Sequence, residues 1–181
     1  MAAARTLESM PLDITEAALA ATLDHAILKP DFTRADVDAE LETAALWRVC
    51  SVCVRPSDIP YAVARLEGTG DGATELDMVV NIGWLRSGLD DEVTADIAAV
   101  VEAAGGLITK VILETSLLDD EQIARGSRLT EAGGADFVKT STGFAGGGAT
   151  VPHVELMRAS VGPQVQVKAS GGVRGLDTAL E

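Results

Sequence analysis

The sequence predicts a parallel α/β fold of the TIM-barrel type, incomplete, with about six βα units. Short apolar runs rich in β-branched residues alternate with helical patterns, which is typical of parallel sheets. The runs VVNI, KVILE and FVK are almost continuously apolar, as expected for strands that are buried on both faces. Polar side chains close several of these runs, and barrel enzymes place their active sites at that end of the strands.

The first part of the chain is predicted to hold a short helix and two βα units. Residues 1–22 form an N-terminal extension and helix ahead of the first strand. Thr33 can cap the helix after that strand, because its hydroxyl accepts from backbone N–H groups without partners. Pro60 suits the first turn of the next helix, where no N–H donor is needed. The predicted strands are 23–28 and 49–54, and the predicted helices are 36–47 and 57–66.

The remainder is predicted to hold four further βα units. Acidic residues 90–92 suit the positive N-terminal end of a helix. Asp119 and Gln122 form a capping-box pattern at the start of the next helix. No linker or low-complexity segment divides the chain, so a single barrel-type domain over residues 1–181 is predicted. The predicted strands are 76–82, 110–114, 137–140 and 165–169, and the predicted helices are 90–104, one beginning near 119, 151–159 and one from 175 onward.

Composition argues against several classes of protein. The chain carries 14 Lys and Arg against 28 Asp and Glu, a net charge of −14. Such an acidic surface repels phosphate backbones, so nucleic-acid binding is not expected. No apolar run reaches the roughly 18 residues that a membrane helix needs, and the N-terminus lacks the apolar stretch of a signal peptide. A protein of the cytoplasm, not bound to membranes, is therefore predicted.

Two common kinds of site are disfavoured. Cys50 and Cys53 have the spacing of a redox or zinc pair, but positions i and i+3 of a strand point to opposite faces. We therefore predict buried structural cysteines and no metal site. A dinucleotide fold requires a glycine-rich turn after the first strand, and LDHAILKPDFT contains no glycine.

The lysines carry the strongest chemical signal. The chain has only four, and Lys139 and Lys168 each end an apolar strand and precede small polar residues and glycine. Two ammonium groups facing one cavity repel each other, and burial also opposes their charging, so both effects favour the neutral amine that attacks a carbonyl. The alternative is two separate salt-bridged lysines. Lys110 begins its predicted strand, which places it at the end away from the site, in a structural role.

Glycine-rich segments follow both lysines, at 143–148 and 171–175. Backbone N–H groups of such loops bind anions, and glycine lets a phosphate approach closely; a tight strand-to-helix turn is the alternative. Asp77 and Asp24 are acids inside apolar strands and need cationic or hydrogen-bonding partners. Asp77 is predicted to shuttle protons beside the lysines, unless a structural partner satisfies it.

The segments LDHAILKPDFT, SVCVRPSDIP, ELDMVVNIGWLRSG, KVILETSLLDDEQI, ADFVKTSTGFAGGGAT and VQVKASGGVR together resemble the deoxyribose-phosphate aldolase family. The resemblance implies a class I aldolase on a TIM barrel that cleaves 2-deoxy-D-ribose 5-phosphate to D-glyceraldehyde 3-phosphate and acetaldehyde, without metal or organic cofactor. It implies that Lys139 forms the Schiff base, that Lys168 perturbs it and that Asp77 serves the proton relay. The substrate and phosphate contacts are predicted at Gly171, Gly172, Thr142, Gly143 and Asp24.

The chain departs from that family pattern in two places. A further strand and helix between SVCV and ELDMV are missing, and so is an eighth strand with its glycine and serine loop after VKASGG. Other interpretations therefore stay open. One is a Schiff-base barrel enzyme that acts on another sugar phosphate, and another is a shortened, inactive relative that acts only as a subunit or fragment. A homodimer is left open as the assembly.

Overall fold

The computed structural model describes residues 15–29, 31–66, 75–173, 175, 178 and 179. The chain divides into two compact units, an N-terminal unit, Met1–Gly72, and a C-terminal unit, Ala73–Glu181. Six parallel strands lie in the described part of the chain, two in one sheet and four in another. No helix among the described residues is both long and apolar enough to span a membrane.

The N-terminal unit contains a two-stranded parallel sheet and three helices. Strands β1 and β2 pair from Asp24 with Ser51 to Ile27 with Val54. Thr33 caps the second helix in a full capping box with Asp36, as predicted. A small core of Ile27, Val37, Leu41, Ala62 and Leu66 holds the unit together. Its elements are α1 (Glu16–Ala20), β1 (Asp24–Ile27), α2 (Arg34–Trp47), β2 (Ser51–Val54) and α3 (Ile59–Leu66).

The C-terminal unit is a four-stranded parallel sheet in the order β3-β4-β5-β6, with helices between the strands. The order follows the sequence, as expected for consecutive right-handed βα units. Asp119 begins the helix after β4 with the predicted capping box to Gln122. Its elements are β3 (Glu75–Val79), α4 (Ile82–Ser87), α5 (Asp90–Ala103), β4 (Ile108–Ile112), α6 (Asp120–Ala132), β5 (Phe137–Lys139), α7 (Val151–Ser160) and β6 (Gln166–Lys168).

The two faces of this sheet differ in chemistry. Side chains of a strand alternate between faces, so every second residue shares one side. Val111 and Val138 are paired in register, and both are fully buried in the hydrophobic core beneath α5, α6 and α7. The neighbouring positions face the other way and carry charge, among them Asp77, Lys110, Lys139 and Lys168. One face is therefore a helix-covered core, and the other holds the ionisable groups.

The structure corrects three local predictions. The strand predicted at 76–82 ends at Val79, and Ile82 begins helix α4, because the Asn81 side chain accepts from the backbone N–H of Trp84 and caps a helix there. Cys50 is exposed and Cys53 is half-buried, so the prediction of two buried cysteines is wrong. Lys110 is the third residue of β4 rather than its first, because the strand begins at Ile108.

Some predictions fall outside the described residues. The position at which a strand and helix of the resembled family are missing lies at residues 67–74. The helix predicted from Gly175 is described only at Thr178 and Ala179, where the Ala179 N–H donates to the Gly175 carbonyl at 3.0 Å. The grouping of residues 1–181 into one barrel domain stays a prediction.

Candidate active site

Lys139 and Lys168 occupy equivalent positions at the ends of adjacent strands. Their Cα atoms are partners in the register of β5 and β6, and both strands end at these residues. The preceding residue, Val138, enters the core, so the alternation of the strand turns Lys139 to the opposite face. Strand period and register therefore bring the two predicted lysines side by side.

Asp77 joins Lys139 directly. The Lys139 ammonium nitrogen Nζ lies 2.6 Å from Asp77 Oδ2, although the two residues are 62 positions apart in the chain. The Lys139 side chain is 8% exposed and that of Asp77 is 19% exposed, so water reaches only a small part of the pair. The predicted proximity of these two residues is thus present in the structure.

A further lysine, Lys110, belongs to the same cluster. Its Nζ lies 3.2 Å from the other carboxylate oxygen of Asp77, Oδ1, and it also pairs closely with Glu75. The side chain is almost fully buried and lies over the Phe137 ring, 5.9 Å from the centroid. The sequence interpretation placed Lys110 at the far end of its strand, which is wrong because β4 begins two residues earlier. The apolar residues Leu107 and Ile108 before it were the signal for that earlier start.

The two glycine-rich loops pack against each other, backbone to backbone. An ideal Cβ on Gly171 would lie 3.1 Å from the Gly148 Cα and 3.2 Å from the Gly143 Cα. The Ala149 N–H donates to the carbonyls of Ser170 and Gly171, each at 3.0 Å. Glycine is required here both for the close approach and for the positive φ of Gly171, 78°. The loops after Lys139 and Lys168 therefore form one continuous backbone surface.

Thr142 is held by a buried glutamate. The Glu114 carboxylate accepts from the Thr142 N–H at 3.1 Å and, more closely, from its hydroxyl. Glu114 itself is 2% exposed and adopts a left-handed conformation with φ 52°, which is unusual for a residue with a side chain. The Thr142 hydroxyl oxygen also accepts from the Phe144 N–H at 3.1 Å. These bonds fix the beginning of the loop that follows Lys139.

Asp24, another predicted substrate contact, belongs to the N-terminal unit. It begins β1, is half-buried and accepts a hydrogen bond from the Ser51 hydroxyl at 2.7 Å. Gly172 has a positive φ of 82°, and Gly143 one of 85°. The roles of Asp24, Gly143, Thr142, Gly171 and Gly172 toward a substrate stay predictions, as does the absence of a metal ion.

The cluster of Glu75, Lys110, Asp77 and Lys139 suits proton transfer and amine chemistry. A lysine amine at a strand end can attack a carbonyl, and a carboxylate at hydrogen-bond distance can move protons to and from it. Both carboxylates of the cluster are already engaged by ammonium groups. Glycine N–H groups lie just beyond the neighbouring strand, where an anionic end of a substrate can be held.

Comparisons with known proteins agree with this chemistry. A model described as DeoC/LacD family aldolase matches residues 58–181. Deoxyribose-phosphate aldolase 2 of Staphylococcus aureus (strain MRSA252) is 46% identical over 183 aligned residues, which cover 86% of this chain and 83% of that protein.

Solved structures give the same result for the fold. A putative deoxyribose-phosphate aldolase from Coccidioides immitis superposes with a TM-score of 0.85 and 35% identity, over 92% of this chain and 78% of that one. Deoxyribose phosphate aldolase from Aeropyrum pernix, described as having a unique tetrameric structure, superposes with a TM-score of 0.80 and 25% identity, over 92% of this chain and 82% of that one. The sheet and helices described above are therefore part of an α/β fold of the TIM-barrel type.

Proposed function

The chain belongs to the DeoC/LacD family of aldolases, and from that premise we propose that it cleaves 2-deoxy-D-ribose 5-phosphate to D-glyceraldehyde 3-phosphate and acetaldehyde through a Schiff base on Lys139. The observation that carries the proposal is the ion pair of 2.6 Å between Lys139 and Asp77, beside Lys168 on the adjacent strand. Three strands of one sheet carry the residues proposed as nucleophile, proton carrier and second cation, which are Lys139, Asp77 and Lys168.

The first half of the reaction captures the substrate. The neutral Lys139 amine attacks the C1 aldehyde of the open-chain sugar, and loss of water leaves an iminium ion. The proton released from the amine and the proton that leaves with water pass through Asp77, which lies within hydrogen-bond reach. The positively charged iminium then withdraws electrons from the bond between C2 and C3.

The second half breaks the carbon–carbon bond. The C3 hydroxyl gives its proton to Asp77 and becomes the aldehyde of glyceraldehyde 3-phosphate, and the electrons of the C2–C3 bond move into the iminium to give an enamine. Asp77 relays the proton that returns to C2, and hydrolysis of the new iminium releases acetaldehyde and restores the Lys139 amine. Lys168 acts electrostatically, because its positive charge disfavours a second ammonium group beside it.

The glycine loops are proposed to hold the phosphate group. The N–H groups of Gly171 and Gly172 lie in the loop just after β6, and Gly143 adds its backbone from the packed neighbouring loop. Thr142 fixes that neighbouring loop through Glu114. Asp24 is proposed to hydrogen-bond a hydroxyl group of the substrate, in line with its contact to the Ser51 hydroxyl.

Covalent trapping tests the proposal. Borohydride reduction in the presence of acetaldehyde should add one two-carbon unit at Lys139, located by peptide mass spectrometry among the four lysines of the chain. Lys139→Arg is the matched control, because arginine keeps the charge beside Asp77 but forms no Schiff base. Cleavage of 2-deoxyribose 5-phosphate, followed by coupled detection of glyceraldehyde 3-phosphate, should disappear in the same variant. Label found only on other lysines of the folded protein would contradict the assignment.

We further propose a cytoplasmic homodimer. Sugar phosphates are charged and do not cross membranes, so an enzyme that acts on them works where they are made. An oligomer is described for the structural relative from Aeropyrum pernix, which is tetrameric. Sedimentation equilibrium of the purified chain should give twice the mass of 18.7 kDa, and the mass of a monomer across micromolar concentrations would contradict the dimer.

A further inference from the structure

We propose that Lys110 is a positioning residue, which holds the Asp77 carboxylate turned toward Lys139 and supplies the positive charge that keeps Asp77 available to it. The inference rests on the proposed function in one respect, because it takes Lys139 as the nucleophile. Lys110 lies in the middle of β4, paired in register with Asp77, and donates to the Asp77 carboxylate, so the proposed role is exerted through Asp77 and not on the substrate.

The geometry of the Asp77 carboxylate carries the inference. Each of its two oxygens faces a different ammonium group, with Oδ1 at 3.2 Å from Lys110 Nζ and Oδ2 at 2.6 Å from Lys139 Nζ. A carboxylate on a single-bonded side chain can rotate, and two cations on opposite sides remove that freedom. Register supports the arrangement, because the Cα atoms of Asp77 and Lys110 are direct partners on β3 and β4.

Burial makes the same interaction strong. Lys110 is among the largest fully buried side chains of the described residues, with 1% exposure. A buried ammonium group requires compensation, and here it comes from Glu75, from Asp77 and from the face of the Phe137 ring. The low-dielectric surroundings also mean that its charge is felt by its neighbours with little screening.

The charges alternate along the cluster in the order Glu75, Lys110, Asp77, Lys139. Glu75 balances Lys110, which leaves Asp77 shared between two cations. Without Lys110, the Asp77 carboxylate would no longer be shared with a second buried ammonium group, and an unshared carboxylate favours the ammonium form of a neighbouring lysine, which cannot attack a carbonyl. In this proposal Lys110 thus acts on Lys139 through the carboxylate between them.

A charge-balanced double variant tests this role. Glu75→Gln with Lys110→Met removes one negative and one positive charge together, so no unpaired buried charge is left to prevent folding. Reductive methylation with formaldehyde and a mild borane, quantified for each lysine by peptide mass spectrometry from pH 5 to 11, reports when each amine becomes neutral. This readout is independent of any activity toward a sugar phosphate, and the exposed Lys29 provides a reference within each sample.

The expected result is a cooperatively folded double variant in which the methylation midpoint of Lys139 lies about one pH unit or more above that of the Glu75→Gln single variant, while that of Lys29 stays in place. In parallel, kcat for 2-deoxyribose 5-phosphate should fall at pH 7 and recover at higher pH, with KM little changed. A folded double variant whose Lys139 midpoint matches that of the single variant overturns the inference, even if it is less stable. A wild-type protein that fails to cleave the substrate overturns the proposed function alone, because the methylation midpoints still decide the role of Lys110.

Discussion

At the scale of single residues, the proposed reaction depends on the charged side chains that surround Lys139. Lys139 contacts Asp77 directly, whereas Lys168 is its register partner on the next strand. A neighbouring carboxylate favours the ammonium form of a lysine and a neighbouring ammonium group disfavours it, so in the proposed mechanism Asp77 and Lys168 act on Lys139 in opposite directions.

Replacing Lys168 by Leu should therefore shift the reactivity of Lys139 toward higher pH. Without the positive charge of Lys168, nothing on β6 offsets the attraction of Asp77 for the proton of Lys139. Acetaldehyde trapping at pH 7 should then fall about tenfold for each pH unit by which the reactivity of Lys139 moves up. Trapping measured from pH 6 to 11 would show the recovery. Lys168→Arg serves as the control, because a permanent charge should keep the trapping curve near that of the wild type. Equal trapping at pH 7 by Lys168→Leu would remove Lys168 from this role.

At the scale of elements, the contact between the two glycine-rich loops couples the ends of β5 and β6. Reciprocal bonds between Thr140 and Ser170, both 2.9 Å, tie the strand ends together before the loops begin. Gly171 then packs on the backbone of the neighbouring loop, while Gly172 has more space. These two adjacent glycines have similar positive φ angles, 78° and 82°, but a side chain would be crowded only at Gly171.

Gly171→Ala and Gly172→Ala form a matched pair. Each alanine must adopt a left-handed conformation, at a cost of about 1–2 kcal/mol. Gly171→Ala must also push the loops apart, since its Cβ would lie 3.1 Å from the Gly148 Cα, against 4.0 Å for Gly172. We expect Gly171→Ala to lower the midpoint of urea unfolding further and to raise KM for 2-deoxyribose 5-phosphate more than KM for unphosphorylated 2-deoxyribose. Equal effects of the two substitutions on both measurements would contradict the loop contact.

Helix α2 of the N-terminal unit begins with a capping box in which one member, Asp36, carries a charge. The Thr33 hydroxyl and backbone N–H both donate to the Asp36 carboxylate and lower the pKa of Asp36 below its ordinary value. A carboxyl with a lowered pKa in the folded state stabilises the protein above its unfolded-state pKa. That contribution is lost as the pH falls through the folded-state pKa.

Asp36→Asn should thus be less stable than the wild type at pH 7, and the difference should shrink once the pH falls below about 4. Asparagine keeps the size and one acceptor, so the difference reports the charge. Urea unfolding at a series of pH values measures it, and in a Thr33→Ala background the effect of Asp36→Asn should be smaller because the hydroxyl donor is gone. A stability difference that is the same at pH 7 and pH 3 would show that the charge of Asp36 does not contribute.

At the scale of the whole molecule, the fold places two lysines and their carboxylate partners together on one sheet face of an acidic protein. The net charge is −14, and two of the four lysines, Lys110 and Lys139, are buried on one sheet face. In the proposed reaction the iminium ion on Lys139 accepts the electrons of the broken bond. A Lewis-acidic metal would have no step to perform.

Removal of metals should consequently leave cleavage unchanged. We expect protein dialysed against EDTA, and assayed in metal-free buffer, to retain its full rate on 2-deoxyribose 5-phosphate. Pretreatment with acetaldehyde and borohydride provides the positive control, because it blocks Lys139 and should abolish the rate. A loss on dialysis that added divalent ions restore would contradict catalysis by the amine alone.

Much of the fold and part of the site could be predicted from the sequence, because the responsible interactions are local. The periods of strands and helices, the caps at Thr33 and Asp119 and the positions of Lys139 and Lys168 at strand ends all depend on residues a few positions apart. The prediction also failed to identify helix α4 for a local reason. Its N-cap, Asn81, lies within an apolar run whose composition is typical of a strand.

What the sequence by itself determined is thus the alternation of strands and helices and the presence of lysines at two strand ends. Only the tertiary structure decided which groups meet: Asp77 lies 33 residues from Lys110 and 62 from Lys139, and the register of β3, β4 and β5 brings the three together. Strand register depends on the packing of a whole sheet face against its helices, and a shift of one residue would turn each side chain to the other face. The chemistry of Lys139 therefore depends on packing that no short segment of the chain contains.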